Sequence, residues 1–210
     1  MKAKILVFLL FTLGFLPVMA QNTHQCSSGI MAGVSSGSVR LSGFDSRVAG
    51  VVHGDNIFGM EAGFFTKINI KPLYFKPAVM IHYMSGMVDV YNTEGMAYAK
   101  SDFKMTRLQV PVMFGINICH TVNAELGLVY NHVLGITTKY NGYDTSVPRD
   151  GVGYRAGVNA AFDRLTLGIN YQAIANRAIS KGTFDTPDEL ILSAAYTFGA
   201  NSGTGPYGRK

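Results

Sequence analysis

The chain has 210 residues, enough for one domain, and only 15% of them are charged. Its formal net charge is +5, and removal of Lys2 and Lys4 with an N-terminal leader would lower that charge to +3. This weak charge, without a basic cluster interleaved with aromatic residues, argues against a nucleic-acid partner. Beyond the leader, no apolar segment reaches the roughly 18 residues that a membrane-spanning helix needs.

Residues 1–20 have the pattern of a cleaved secretory signal peptide. Lys2 and Lys4 precede an apolar core from Ile5 to Leu16, and Val18–Ala20 fits the small-residue cleavage rule. The residues before Cys26 are not the small and apolar ones of a lipidation signal. The sequence therefore predicts an exported protein that is not anchored through a lipid.

Apolar residues alternate with small or polar ones in eight segments of the remaining chain. These segments are residues 30–36, 58–70, 73–83, 108–118, 122–130, 152–162, 165–175 and 190–198. A period of two is that of a β-strand whose two faces meet different surroundings. The pattern predicts an all-β protein with eight antiparallel strands.

The clearest pair of strands lies in GVGYRAGVNAAFDRLTLGINYQAIAN, from Gly151 to Asn176, with a tight turn at Asp163-Arg164. One face is apolar and carries Tyr154 and Tyr171 near one end, whereas the other face is mostly Gly, Asn, Thr and Ala. Strands of about 9–11 residues with such faces are typical of transmembrane β-barrels. A soluble, ligand-binding barrel is the alternative, but it would leave the apolar face in water.

The connections between the predicted strands alternate in length. Those after strands two, four and six are short, and the other four are long: Arg40–Asn56, Ser85–Ser101, Lys139–Asp150 and Arg177–Asp188. Short turns at one rim and long loops at the other are the pattern of an outer-membrane barrel, with the loops outside the cell. We expect an up-and-down barrel over residues 21–198 and a flexible periplasmic tail over residues 199–210.

Two prolines, Pro77 and Pro111, fall inside predicted strands. Proline cannot donate a hydrogen bond to a neighbouring strand, and a closed barrel has no free edge for it. The sequence therefore predicts β-bulges at both positions.

Several charged and amide side chains fall on the inward face of the predicted barrel. They are Glu61, Lys67, Lys76, Arg107, Gln109, Glu125 and Arg155. An eight-stranded barrel has an interior just wide enough for side chains, and buried charges need partners. We expect a structural network that fills the interior; a proton or ion path is the alternative.

No residues are predicted to be catalytic, to bind a cofactor or to ligate a metal. His82 faces inward, and His132 faces outward without the nearby serine that a lipid-acyl hydrolase would need. The paired loop aspartates lack the spacing of a calcium loop. Cys26 and Cys119 both belong at the periplasmic rim of an oxidising compartment, which allows a disulfide, with two separate thiols as the alternative.

Three segments resemble the PorT-like outer-membrane β-barrel family of Bacteroidetes: LYFKPAVMIHY (73–83), LQVPVMFG (108–115) and GVGYRAGVNAAF (151–162). The chain departs from that family at Ala78, where members often carry glutamate, and in its extension beyond Phe198. The resemblance implies an eight-stranded barrel in the outer membrane. It also implies a role as an accessory to protein secretion as one candidate function.

The expected function is that of a non-enzymatic barrel in contact with outer-membrane lipid. The first two outer loops, Arg40–Asn56 and Ser85–Ser101, are longer than a hairpin requires and carry apolar and aromatic residues such as Phe44, Met87 and Tyr91. Such loops favour binding of a membrane or secreted protein. A lipid-modifying enzyme is the remaining alternative.

Overall fold

The computed structural model describes residues 26–42, 52–70, 72–91, 97–138, 150–176 and 183–198. They contain eight strands: β1 Cys26–Ser42, β2 Val52–Ile70, β3 Leu73–Tyr91, β4 Ala97–Asn117, β5 Val122–Thr138, β6 Asp150–Phe162, β7 Leu165–Asn176 and β8 Thr183–Phe198. Each strand pairs antiparallel with the next, and β8 pairs with β1, so the sheet is a closed barrel. The predicted fold is confirmed. Among the described residues, none forms a helix long and apolar enough to cross a membrane.

The alternation of apolar and polar residues along each strand gives the barrel wall two different faces, as the β6–β7 hairpin shows. Outward side chains such as Val158 and Ile169 are 55% and 56% exposed, whereas the inward Asn159 and Asn170 are buried. The turn between the strands places Asp163 at φ 54°, a left-handed conformation that aspartate tolerates better than most residues. The outside of the barrel is therefore apolar, and the inside is polar.

The barrel has two different rims. The turn rim carries the three short connections between strands and both ends of the strand set, Cys26 and Phe198. The opposite end, the loop rim, carries the longer connections. Outward aromatic side chains lie near both, with Tyr154 against Tyr171 towards the loop rim and Phe75 against Phe114 towards the turn rim.

The outer loops are shorter than the sequence analysis predicts. Most of Ser85–Ser101 belongs to β3 and β4, which pair from Leu73 through Tyr91. Inside–outside alternation continues there, since Met87 is 65% exposed and the adjacent Val88 is 2% exposed. Continued pairing supplies backbone hydrogen bonds that a loop would lack. Much of Arg40–Asn56 is likewise strand, while Phe44 lies outside the described residues.

The predicted bulges at Pro77 and Pro111 are wrong. Pro77 opposes Val112, Pro111 opposes Val129, and the register is the same on both sides of each proline. The register instead shifts towards the loop rim, for example where β8 pairs with β7 between Gln172 and Ile174. Bulges concentrate at rims because irregular backbone inside a bilayer leaves polar groups without partners.

An apolar cap closes the interior towards the loop rim. Its five side chains, each at most 2% exposed, are Ile57, Met84, Val88, Phe103 and Met105. A glycine makes room at this level, because a Cβ at Gly86 would come within 2.9 Å of Ile57. The cap separates the polar interior from the outer loops.

Candidate functional site: the polar interior of the barrel

The interior contains two polar clusters. The loop-side network, beneath the apolar cap, comprises Glu61, His82, Arg107, Gln109, Arg155, Gln172 and Glu189. The turn-side network, nearer the turn rim, comprises Lys67, Tyr74, Lys76, Asn123, Glu125 and Asn159. Some of their contacts join strands that are not neighbours in the wall, such as β6 with β2 and β4 with β8, and only barrel closure brings these together.

One arginine–glutamate pair crosses the barrel from β6 to β2. Arg155 Nη2 donates to Glu61 Oε2 at 2.8 Å and Nη1 donates to Oε1 at 3.1 Å. This two-point geometry is the strongest that a guanidinium and a carboxylate form. Arg155 Nε also donates to Gln172 on β7 at 2.7 Å. Both charged side chains are 2% exposed, so the pair is shielded from water.

A second pair crosses from β4 to β8. Arg107 Nη2 donates to Glu189 Oε1, and Arg107 Nε donates to Nδ1 of His82 at 3.0 Å. Because Nδ1 accepts, the ring proton of His82 lies on Nε2, which is 3.1 Å from Ser35 Oγ. In a ring of eight strands, β2 opposes β6 and β4 opposes β8. The two arginine–glutamate pairs therefore cross the lumen in different directions.

Gln109 connects the two crossing pairs. In one amide orientation its oxygen accepts from Arg155 Nη2 at 3.3 Å, and in the other it accepts from Arg107 Nε at 3.0 Å. Some buried polar atoms of this region have no protein partner, namely Arg107 Nη1, Glu189 Oε2 and both amide atoms of Asn131. Groups of this kind in protein interiors bind ordered water.

The turn-side network is built around Glu125. Lys76 Nζ donates to both carboxylate oxygens, at 2.5 and 2.6 Å, and Tyr74 Oη is within 2.7 Å of Oε1. Tyr74 Oη is also 2.6 Å from Asn123 Oδ1, which accepts from Asn159 Nδ2 at 3.0 Å. The Tyr74 ring lies against Gly115, where a Cβ would be 2.1 Å from the ring. The glycine is what lets the tyrosine lie across the lumen.

Lys67 has a different environment from the other interior cations. Its Nζ lies 3.9 Å from the centroid of the Tyr74 ring, a cation–π contact. In the part of the chain that the structure describes, no carboxylate lies within ion-pairing distance of it. Its side chain is only half-buried, so water from the turn rim reaches it.

A small cavity separates the two networks. Its volume is about 20 Å³, enough for one water molecule, and its polar lining includes Lys76, Glu125, Arg155 and Asn170. Small side chains such as Ala78 leave this space. The cavity is far too small to be a channel.

The structure brings six of the seven predicted inward residues into hydrogen bonds or ion pairs: Glu61, Lys76, Arg107, Gln109, Glu125 and Arg155. Lys67 joins through its ring contact instead. Glu189 was not predicted, because the sequence pattern began the eighth strand at Leu190, whereas β8 begins at Thr183. Tyr74 and Asn123 were also left out of the predicted network, although Asn123 was placed on the inward face. Their inward parity was the available signal, since both alternate with outward apolar residues.

Outside the barrel, His132 on β5 contacts Asp150 on β6, with Nδ1 2.7 Å from Oδ1. Tyr130 donates to the same oxygen at 2.7 Å. On the neighbouring strand β4, the residue paired with His132 is Leu108. The described residues contain no group of three or more side chains suited to a metal ion.

Cys26 and Cys119 are exposed free thiols, so the disulfide that the sequence allows is not formed. Cys26 pairs with Ile68 on β2, whereas Cys119 follows β4. Strands β2 and β3 separate β1 from β4 along the wall. This spacing keeps the thiols on different parts of the turn rim, and a bridge needs Cα atoms within about 7 Å.

Comparison with known proteins finds similarity in fold. No family description and no curated protein sequence matches the chain. OprG from Pseudomonas aeruginosa is 12% identical, with 83% of this chain and 97% of OprG covered and a TM-score of 0.51. Neisserial surface protein A is 17% identical over 82% of this chain and 97% of that protein, with a TM-score of 0.49. Ail of Yersinia pestis is 13% identical over 83% of this chain and 99% of Ail, with a TM-score of 0.40.

The outside of the barrel and the matched fold lead to the same location. Large apolar side chains cover the wall between the rims, as at Phe64 and Leu128, which are 69% and 64% exposed. Such a surface is stable against lipid and not against water. OprG is an outer-membrane protein with the same fold. The chain is an integral outer-membrane β-barrel, and we expect its short turns to face the periplasm, as is usual for such barrels.

Proposed function

We propose that this barrel neither conducts nor catalyses, and that it binds a membrane or secreted protein through the surface at its loop rim. The observation that carries the proposal is the pair of arginine–glutamate bridges, Arg155–Glu61 and Arg107–Glu189, that cross the lumen in different directions. The apolar cap above them and the Lys76–Glu125 pair below leave no continuous polar path among the described residues. In this proposal the interior side chains stabilise the barrel wall, and the loop rim binds the partner protein.

The binding surface in this proposal comprises the first two outer segments, Arg40–Asn56 and Ser85–Ser101, and the part whose side chains the structure describes best is the ribbon formed by the outer parts of β3 and β4. Met87 is 65% exposed there, opposite Asp102 on β4, and Lys104 is exposed two residue pairs nearer the membrane. Asp89 opposes Lys100 further out. A large apolar side chain among paired charges is typical of the centre and rim of a protein interface.

Planar bilayers test the closed lumen. We expect the purified protein to give no steady conductance under conditions in which a reconstituted porin conducts. Steady conductance through the wild-type protein would refute the closed-lumen part of the proposal, because the crossing pairs would then have to part spontaneously.

Matched loop deletions test recognition at the loop rim. Removal of residues 44–50, between β1 and β2, should eliminate the crosslinked partners recovered from native membranes. Removal of residues 141–147, between β5 and β6, is the control and should leave those partners in place. An unchanged set of partners after the first deletion, or loss after the second alone, would refute a role for the first loop.

The identity of the recovered protein decides between two forms of the proposal. A component of a secretion apparatus would support the PorT-like accessory role that the sequence resemblance implies. A lipid-modifying enzyme is the competing function, and the contact between His132 and Asp150 at the lipid-facing rim favours it. His132→Ala should leave the acyl chains of outer-membrane lipid unchanged if the barrel only binds; altered acylation would support the enzyme.

A further inference from the structure

Among the strand residues whose side chains the structure describes, the inward-facing charges do not balance. Four cations face inward, and they are Lys67, Lys76, Arg107 and Arg155. Three carboxylates face inward, and each has a cation as its partner: Glu61 with Arg155, Glu125 with Lys76, and Glu189 with Arg107. Lys67 is the surplus cation, and it lies in the turn-side network.

The surroundings of Lys67 are rich in hydrogen-bonding groups. Every second residue of a strand faces the lumen. On the periplasmic side of Glu125 these inward residues are small or carry a hydroxyl or amide group, and examples are Ser27, Asn69 and Thr166. None of the described strand residues facing inward at this level is acidic. Asp163, the acid of the β6–β7 turn, is exposed at the rim rather than in the lumen.

The contact with Tyr74 leaves Lys67 able to bind a ligand. An ammonium group has three N–H donors, and the ring occupies one side of it. The hydroxyl of Tyr74 lies between Asn123 and Glu125, and these contacts fix the position of the Tyr74 ring. Both oxygens of Glu125 accept from Lys76, Oε1 also lies 2.7 Å from the Tyr74 hydroxyl, and Lys67 is not within ion-pairing distance of this carboxylate.

We propose that the periplasmic mouth of the barrel is a binding site for an oxyanion, a phosphate or carboxylate group, held by Lys67. The anion supplies the missing countercharge, and the neighbouring hydroxyl and amide groups complete its hydrogen bonds. The site opens to the periplasm and is closed towards the outside by the crossing arginine–glutamate pairs. It therefore takes its ligand from one side of the membrane only.

The same chemistry has two sources, free phosphate in the periplasm and the headgroup of an anionic phospholipid in the inner leaflet. Two preparations separate them. Protein in zwitterionic detergent micelles is titrated with inorganic phosphate, with acetate as the carboxylate probe. Protein in nanodiscs is compared between phosphatidylcholine alone and phosphatidylcholine containing phosphatidylglycerol, without free phosphate. A response in the first preparation identifies a soluble anion, and one confined to the second identifies a lipid.

The direct readout is the NMR signal of the Lys67 side chain in the wild-type protein, followed during each titration. We expect a saturable shift of this signal with no comparable shift for Lys104, which is exposed on the outer face of β4. Lys67→Met should weaken binding by about tenfold or more, as for loss of a charge-assisted hydrogen bond, and Lys104→Met should not.

Two results would overturn the proposal. One is the absence of a saturable shift of Lys67 in both preparations, and this measurement needs no variant. The other is unchanged affinity in a folded Lys67→Met protein. Equal effects of Lys67→Met and Lys104→Met would indicate general charge attraction and would overturn it as well.

Discussion

The two polar networks in the barrel use the same kinds of charge in different ways. In the loop-side network, two arginines meet two glutamates, and all four side chains are at most 2% exposed. In the turn-side network there are two lysines and one carboxylate: Lys76 pairs with Glu125, Lys67 contacts the Tyr74 ring, and both lysines are partly exposed. The first network is balanced and shielded, whereas the second carries surplus charge and touches water.

This difference suggests that the two networks have different roles in the barrel interior. Arg155 and Glu61 form a fixed two-point contact, Arg107 reaches both Glu189 and His82, and these contacts keep opposite strands together across the lumen. Lysine is a flexible point charge that accommodates different partners. We infer that the loop-side network closes the barrel and that the turn-side network is the adaptable end, consistent with an oxyanion site at the periplasmic mouth.

Loss of one partner in the loop-side network should have the largest effect. Glu189→Ala leaves Arg107 buried with an unpaired charge, and we expect a loss of about 3–5 kcal/mol in the free energy of unfolding. Denaturant unfolding of the protein in lipid vesicles measures it. The double variant Arg107→Met with Glu189→Met is the control, since it removes both charges and should recover most of the stability. Equal losses in the single and double variants would contradict this explanation.

An arginine placed at adjacent positions of β7 should distinguish the lipid-facing wall from the water-accessible turn-side interior. Leu167 is 46% exposed on the outer face, and Arg there should cost about 2–4 kcal/mol and impair assembly. Thr166, its neighbour, faces the lumen near the periplasmic mouth, so Thr166→Arg should cost less. The measurement is again unfolding from vesicles, together with the folded fraction after refolding. Similar costs at both positions would mean that the assigned facing is wrong.

Alternation in the sequence is sufficient to predict the wall. Because successive side chains in a strand face opposite sides, the amino-acid pattern alone assigns Leu167 to the outside and Thr166 to the inside. The number of alternating segments gives the strand number, and the lengths of the connections distinguish the two rims. These features depend on neighbours in sequence, which is why the number of strands, their antiparallel order and the closed barrel all agree with the structure.

The pairing inside the lumen could not be predicted in the same way. Arg155 and Glu61 are 94 residues apart, and Arg107 and Glu189 are 82 apart. Which inward residues meet depends on how the strands are staggered when the barrel closes. Glu189 was also missed because Arg177–Asp188 was predicted to be a loop, whereas β8 begins within it at Thr183. Pro77 was misjudged as well, since it lies in a regular register.

The turn-side network should tolerate the loss of a partner better than the loop-side network. Lys76→Met leaves Glu125 with the hydroxyl of Tyr74, and water reaches the site because the Lys76 side chain is 13% exposed. We expect a loss of about 1–3 kcal/mol, less than for Glu189→Ala. Parallel unfolding experiments on both variants provide the comparison. A larger loss for Lys76→Met would reverse the assignment of the shielded and water-accessible ends.

Salt concentration should change the stability contributed by the turn-side network but not that contributed by the loop-side network. This is the smallest of the predicted effects and the most selective. Raising the salt concentration from about 0.1 M to about 1 M shortens the screening length from about 10 Å to about 3 Å, which weakens charge pairs that water and ions reach. The stability lost in Lys76→Met should therefore shrink by about 0.5 kcal/mol at high salt, a value typical of exposed pairs. The loss in Glu189→Ala should stay the same, because ions do not enter between Arg107 and Glu189. Measuring both losses at both salt concentrations cancels the general effect of salt on the bilayer and on the unfolded chain. If both losses shrink equally, water and ions reach both networks, and the crossing pairs cannot be the seal of this barrel.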